Sequence, residues 1–135
     1  MKPQIYMVDD EPDFQTVMHA WLEPDYDHIA LADGEELLGA LRTGAPDLVI
    51  LDVNLPGSDG MELCRRIRGT PGLESLPVLF LTGSHEIKDY QETLRAGGTT
   101  FLMKPIGRRK LISAIESLLS DRIPHKPLVD AGGGD

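Results

Sequence analysis

Four short apolar stretches of this chain each run out into a group able to do chemistry: Val8 into Asp9-Asp10, Leu51 into Asp52, Leu81 into Thr82, and Met103 into Lys104. A carboxylate can attack phosphorus, and it is also an oxygen donor for hard cations. Three carboxylates crowded together repel one another, and a divalent cation with oxygen ligands gives the least costly relief. Mg2+ suits that task because it takes one or two carboxylates, keeps waters and accepts phosphate oxygens, with Mn2+ as an alternative. A lysine adds a compact positive charge on a flexible stem, and a threonine adds a hydroxyl donor. Both can meet the oxygens of a transferring phosphoryl group. Together the groups describe charge stabilisation during phosphoryl transfer onto a carboxylate, with Asp52 as the candidate acceptor. Alone, Asp52 could as well cap a turn; its role rests on the company it keeps.

The elements between these groups decide whether they meet. Leu48-Val49-Ile50-Leu51 is wholly apolar and reads as a strand buried on both faces. Residues 4–8 and 77–81 read as further apolar strands, 99–103 as the last strand, and 28–32 gives a weaker one. Pro12 after an acidic run starts a helix whose stripe is Phe14, Val17, Met18, Trp21 and Leu22, ended by Pro24. Asp33-Gly34 makes a turn before a second helix with Leu37, Leu38 and Leu41 inward. Ser58 or Asp59 caps a third, with Met61, Leu63, Cys64 and Ile67 inward, broken by Gly69, Pro71 and Gly72. A fourth helix, from about residue 86 to 96, carries Ile87, Tyr90 and Leu94 on one side and ends at Gly97-Gly98. The fifth, over 107–120, places Leu111, Ile112, Ile115, Leu118 and Leu119 at helical spacing. Five alternations of strand and helix require right-handed crossovers, hence a doubly wound α/β domain with a parallel sheet. All strand carboxyl ends then share one rim, where the four chemical groups converge. Residues 1–122 form one domain, and 123–135, rich in Pro, Gly and Asp, read as a flexible tail or linker.

A chain of 135 residues holds one core and not two. Its net charge of −9 argues against direct nucleic-acid binding, which demands cationic surface. The clusters Arg65-Arg66-Arg68 and Arg108-Arg109-Lys110 carry no interleaved aromatics and read as solvated helix faces. A single cysteine, Cys64, excludes an internal disulfide; it suits a reducing, cytoplasmic setting and reads as a small core residue. No leader and no apolar run of membrane-spanning length are visible, so a soluble domain with no membrane partner is expected. His19, His28, His85 and His125 show no metal-ligand spacing, and His85 reads as a loop residue.

Asp9-Asp10-Glu11, Asp52 closing a strand, Pro56-Gly57 with Asp59-Gly60, Thr82-Gly83 and Lys104-Pro105, in that order, resemble the receiver domain of two-component response regulators. The resemblance runs from Gln4 to Ser120. It implies a flavodoxin-like five-stranded sheet of order 2-1-3-4-5 with five helices. It implies that Asp52 takes a phosphoryl group from a phosphohistidine on a sensor histidine kinase or phosphotransfer protein. Asp10 would be a direct metal ligand, Asp9 a nearby water-mediated or orienting carboxylate, and Asn54 a donor through its backbone carbonyl. Thr82 would be the switch hydroxyl, Phe101 the aromatic switch, and Lys104 the phosphoryl-contacting cation before a cis bond to Pro105. Phosphorylation would be reported through the face of the fourth helix, fifth strand and fifth helix, including Tyr90, Arg95 and Phe101. The reader would be an output domain, a downstream protein or a second copy of the chain. Such a module is no enzyme beyond its own phosphorylation and dephosphorylation. Gly83 and Gly98 stand where the family more often has alanine, and the expectation is a looser backbone at both. Asn54 and Ser84 are small and polar and leave room for an attacking water, so a modest acyl-phosphate lifetime is expected.

Two other classes are worth setting beside this reading. An Mg2+-dependent phosphatase with an aspartyl nucleophile would show Asp-x-Asp after the first strand and a cap insertion; here Asp9 and Asp10 are adjacent and a cap has no room. A flavin-binding protein would wrap its phosphate in a Ser/Thr/Gly-rich first loop, whereas this one is acidic. The residues leave open whether the chain stands alone or is part of a larger regulator or hybrid kinase.

Overall fold

The computed structural model describes residues 2–55, 58–83 and 87–120, without the side chains of 54, 58 and 87–90. The chain alternates as β1 Gln4–Val8, α1 Pro12–Leu22, β2 Asp27–Leu31, α2 Gly34–Thr43, β3 Leu48–Leu51, α3 Gly60–Arg68, β4 Val78–Thr82, α4 Ile87–Arg95, β5 Thr100–Met103 and α5 Arg108–Ser120. All four strand pairings are parallel, in the order β2-β1-β3-β4-β5. The doubly wound sheet and its order are as expected. The sequence had given no sign of one addition, a short antiparallel hairpin pairing Asn54–Leu55 with Ser58–Asp59 between β3 and α3.

Alternation along each strand sorts the core into two halves. Tyr6, Val8, Val49, Leu51, Val78 and Phe80 face α2 and α3, meeting Leu37, Leu63, Cys64 and Ile67. Ile5, Met7, Leu48, Ile50, Leu79 and Leu81 face α1 and α5, meeting Met18, Leu22, Leu111, Ile115 and Leu118. The central strands are buried throughout, as their unbroken apolar runs require. Each fully buried Leu or Ile here contributes about 1.5–3 kcal/mol of transfer free energy.

Several local expectations are corrected. Val17 is 42% exposed and Leu94 is 45% exposed, so neither belongs to an inner face. The buried positions of α1 are Met18 and Leu22, and the inward positions near the end of α4 are Thr93 and Ala96. Asp33 is a helix cap and not merely a turn residue: its carboxylate accepts from the Glu36 amide at 2.9 Å, while the Glu36 carboxylate accepts from the Ala32 amide at 2.9 Å. That reciprocal arrangement begins α2 directly at Gly34. Of the two candidates for capping α3, Asp59 does so, accepting from the Met61 amide at 2.9 Å.

The basic clusters also divide. Arg65 pairs with Glu62 at 3.2 Å and Arg66 is exposed, as are Arg108, Arg109 and Lys110. Arg68 is not part of a solvated face. Its guanidinium donates to the carbonyls of Gly97 (3.0 Å) and Leu73 (3.3 Å) and to the Thr99 hydroxyl (3.4 Å). Gly98 is likewise no loose spot, because a Cβ there would stand 2.7 Å from the Phe80 ring and 3.0 Å from the Thr93 carbonyl. Gly83 has nothing within 4 Å of that position. Pro56-Gly57, Ser84, His85, Glu86, His125 and the expected tail from 123 lie outside the described residues, as do the side chains of Ile87 and Tyr90. Among the described residues no helix is long and apolar enough to cross a membrane.

Candidate functional site

Strand register places the acidic groups side by side. Val8 of β1 pairs with Leu51 of β3, so the residues that follow, Asp9 and Asp52, leave the sheet as neighbours. Thr82 pairs with Met103, and the Lys104 amide donates to the Thr82 carbonyl at 2.7 Å, which brings Lys104 to the same rim. The bond from Lys104 to Pro105 is cis, as expected.

The Lys104 ammonium is the meeting point. It donates to Asp9 Oδ2 at 2.9 Å, to Asp52 Oδ2 at 3.1 Å and to Glu11 Oε1 at 3.4 Å. Asp9 and Asp52 are buried and Glu11 is exposed, so the first two contacts are made where water screens least. Burial by itself pushes the lysine pKa down. The hydrogen bonds to Asp9 and then Asp52, reinforced by their charges, more than reverse this, and the ammonium stands above the ordinary lysine value. The Phe14 ring completes the surround, its centroid 4.5 Å from Nζ.

Local folding holds the acidic loop. The Asp9 carboxylate accepts from the Glu11 amide at 2.9 Å through its other oxygen. Glu11 occupies the N-cap of α1 but makes no side-chain cap, its carboxylate reaching Lys104 instead. The Gln15 amide nitrogen donates to the carbonyls of Asp9 (3.2 Å), Leu31 (3.3 Å) and Met7 (3.4 Å), tying α1 to the ends of β1 and β2. Beneath Asp52, the Gly60 amide donates to the Val53 carbonyl at 3.0 Å. A Cβ on Gly60 would run into the Asp52 carbonyl oxygen, so only glycine lets α3 start this close to the strand end.

Thus Asp9, Asp52 and Lys104 are in direct contact. Asp10 is exposed beside them, and Asn54 lies two residues beyond Asp52 in the hairpin. Thr82 is fully buried at the end of β4. Phe101 pairs with Phe80, two residues before Thr82, so Thr82 and Phe101 share one face of the sheet. Among the described residues no group of three or more His, Cys, Asp or Glu stands close enough together to hold a metal ion by itself. The donors at the rim are nonetheless all oxygen, and two buried carboxylates converge on one positive atom. That chemistry fits a hard divalent ion that retains water. Glu11, Phe14, Gln15 and Gly60 had no site role in the sequence reading. Glu11, contiguous with the acidic pair, and Gly60, in the Asp59-Gly60 pair, carried signals that could have found them.

A family model described as the response regulator receiver domain matches residues 5–116. The transcriptional regulatory protein AfsQ1 of Streptomyces coelicolor is 36% identical over 118 residues, covering 87% of this chain and 51% of that protein. The alkaline phosphatase synthesis transcriptional regulatory protein PhoP of Bacillus subtilis is 36% identical over 120 residues, covering 88% of this chain and 49% of that protein. This chain therefore spans about half the length of the curated relatives it matches. Among solved structures, the signal receiver domain of a signal transduction histidine kinase from Syntrophus aciditrophicus superposes with a TM-score of 0.83 at 31% identity, covering 95% of this chain and 98% of that one. Chemotaxis response regulator CheY4 of Vibrio cholerae gives 0.82 at 26% identity, covering 87% and 99%.

Proposed function

This chain belongs to the response regulator receiver family, and from that premise we propose that it is a phosphoacceptor whose nucleophile is Asp52. The observation that carries the reading is the sharing of one ammonium, Lys104, by the buried carboxylates of Asp9 and Asp52 at the carboxyl rim of β1 and β3. A carboxylate oxygen of Asp52 attacks phosphorus, a P–O bond forms as the P–N bond of a phosphohistidine breaks, and the imidazole leaves with the electron pair. The donor is a sensor histidine kinase or a phosphotransfer protein. Asp9, Asp10, Asp52 and the Asn54 carbonyl are the residues to hold Mg2+ or Mn2+, which when bound neutralises charge on the phosphoryl oxygens. Lys104 stays charged and contacts one phosphoryl oxygen, and the Thr82 hydroxyl donates to another.

Converting the Asp52 carboxylate into an acyl phosphate of about two negative charges draws Thr82 toward the new group and lets Phe101, on the same face, change its packing. The surface of α4, β5 and α5 carries that state to a reader. The curated relatives are about twice as long and bear transcriptional names. The reader is therefore proposed to be an output domain or separate protein, with a second copy of the chain as a further partner. Hydrolysis of the acyl phosphate returns the resting state within hours.

Incubation with acetyl phosphate and Mg2+ followed by intact mass measurement tests the assignment. The expected result is a gain of one phosphoryl group that disappears in Asp52→Ala and when EDTA removes the metal. No gain in the wild type, or a gain that persists in Asp52→Ala, overturns it. A label still present many hours after removal of the donor overturns the lifetime.

A further inference from the structure

We propose that Phe14 is a positioning residue for Lys104, its ring forming the fixed wall against which the ammonium rests while Asp52 gains and loses its phosphoryl group. The inference rests on the assignment of Asp52 as acceptor and deepens the account of that site. Three carboxylates hold Nζ at 2.9, 3.1 and 3.4 Å, and the Phe14 ring adds a contact 4.5 Å from centroid to nitrogen. An aromatic face carries negative charge density and attracts a cation, more so where water is excluded. The Lys104 side chain is only 18% exposed, although a four-carbon stem at a rim ordinarily extends its charge into solvent.

Phe14 stands in the first turn of α1, half-buried, at the border of the core beneath α1 and α5. An apolar residue serving that core alone could be aliphatic without loss at the rim. The ring has a property that the carboxylates lack: its attraction does not change when Asp52 is phosphorylated. Phosphorylation converts one of the ammonium's acidic partners into an acyl phosphate, and a partner that keeps its charge distribution limits how far Lys104 has to move. The charged group then meets the phosphoryl oxygens already oriented, which is where preorganisation lowers a barrier.

The test compares Phe14→Leu and Phe14→Met with Phe14→Tyr, each checked for folding by urea denaturation. Acetyl phosphate with Mg2+ gives the rate of mass gain, and proton NMR gives the shifts of the Lys104 ε-methylene. The aliphatic variants are expected to be phosphorylated roughly three- to tenfold more slowly, and Phe14→Tyr near the wild-type rate. In the wild type the ε-methylene protons are expected upfield of free lysine, moving to the free value in the aliphatic variants and remaining upfield in Phe14→Tyr. Wild-type rates in both aliphatic variants, failure of tyrosine to restore the rate, or an unshifted wild-type methylene overturns the proposal. No mass gain in the wild type would instead sink the assignment of Asp52, and the methylene shift would still report on the ring contact.

Discussion

His28 is buried on β2 with its Nδ1 3.1 Å from Nδ1 of His19. Burial, and secondarily the charge of His19, lowers its pKa from 6.5 to about 4, with Glu23 opposing. The neutral ring is thus favoured in the folded state. Above pH 6.5 both folded and unfolded chains hold it neutral and nothing is lost. As pH falls from 6.5 towards 4, the unfolded chain takes the proton first, and stability declines by up to roughly 3 kcal/mol. Urea denaturation at pH 7.5 and pH 5 should show this loss in the wild type and a flatter profile in His28→Leu. Gly60→Ala is expected to cost about 1–3 kcal/mol and to slow phosphorylation, because the new methyl displaces the Asp52 carbonyl. Thermal unfolding together with the acetyl phosphate assay checks both effects. Asp9, Asp52 and Lys104 were legible in the sequence, since strand ends on one rim must meet whatever the side chains between them. Phe14 and Gln15 were not, and Gly60 showed only as half of the Asp59-Gly60 pair, because each acts through a close approach that spacing along the chain does not encode.

Helices and loops were legible in kind and less so in phase. Val17 sits on one helical stripe with the buried Met18 and Leu22 yet faces water, and Leu94 of α4 is exposed as well. A stripe of five apolar residues on an eleven-residue helix is wider than the sheet beneath can cover, and sequence alone does not say which edge is spare. The two-residue strands of the hairpin were invisible because so short a pairing leaves no periodicity to read. Gly98 departs from an expectation drawn from the resemblance, whereas nothing crowds Gly83. Gly98→Ala should destabilise the domain by about 1–3 kcal/mol through the Phe80 ring, whereas Gly83→Ala meets no neighbour and should leave the unfolding midpoint nearly unchanged. Urea midpoints of the two variants separate these outcomes. Arg68→Ala removes three donors from the junction of α3 with the start of β5, and the same measurement should show a loss of about 1–3 kcal/mol.

As one body, the molecule is a parallel sheet with an apolar layer on each side, and that architecture was available from alternation of strand and helix alone. The strand order was available only through resemblance, since periodicity does not say which strand lies beside which. Net charge of −9 coexists with a rim where a single lysine serves three carboxylates, so added cation should stabilise the fold. Thermal unfolding with and without Mg2+ would register it as a higher midpoint. The Arg68 junction bears on motion. Gly97 and Thr99 precede β5, at the end of the sheet opposite Asp52, and the Thr99 amide is further held by the Val78 carbonyl at 2.8 Å. The fifth strand is therefore moored at its root and free to swing only at its tip, as a lever turns about a fulcrum. Amide exchange after phosphorylation should change at Leu102 and Met103 and stay constant at Thr99, and cutting the mooring with Arg68→Ala should let the disturbance reach the root.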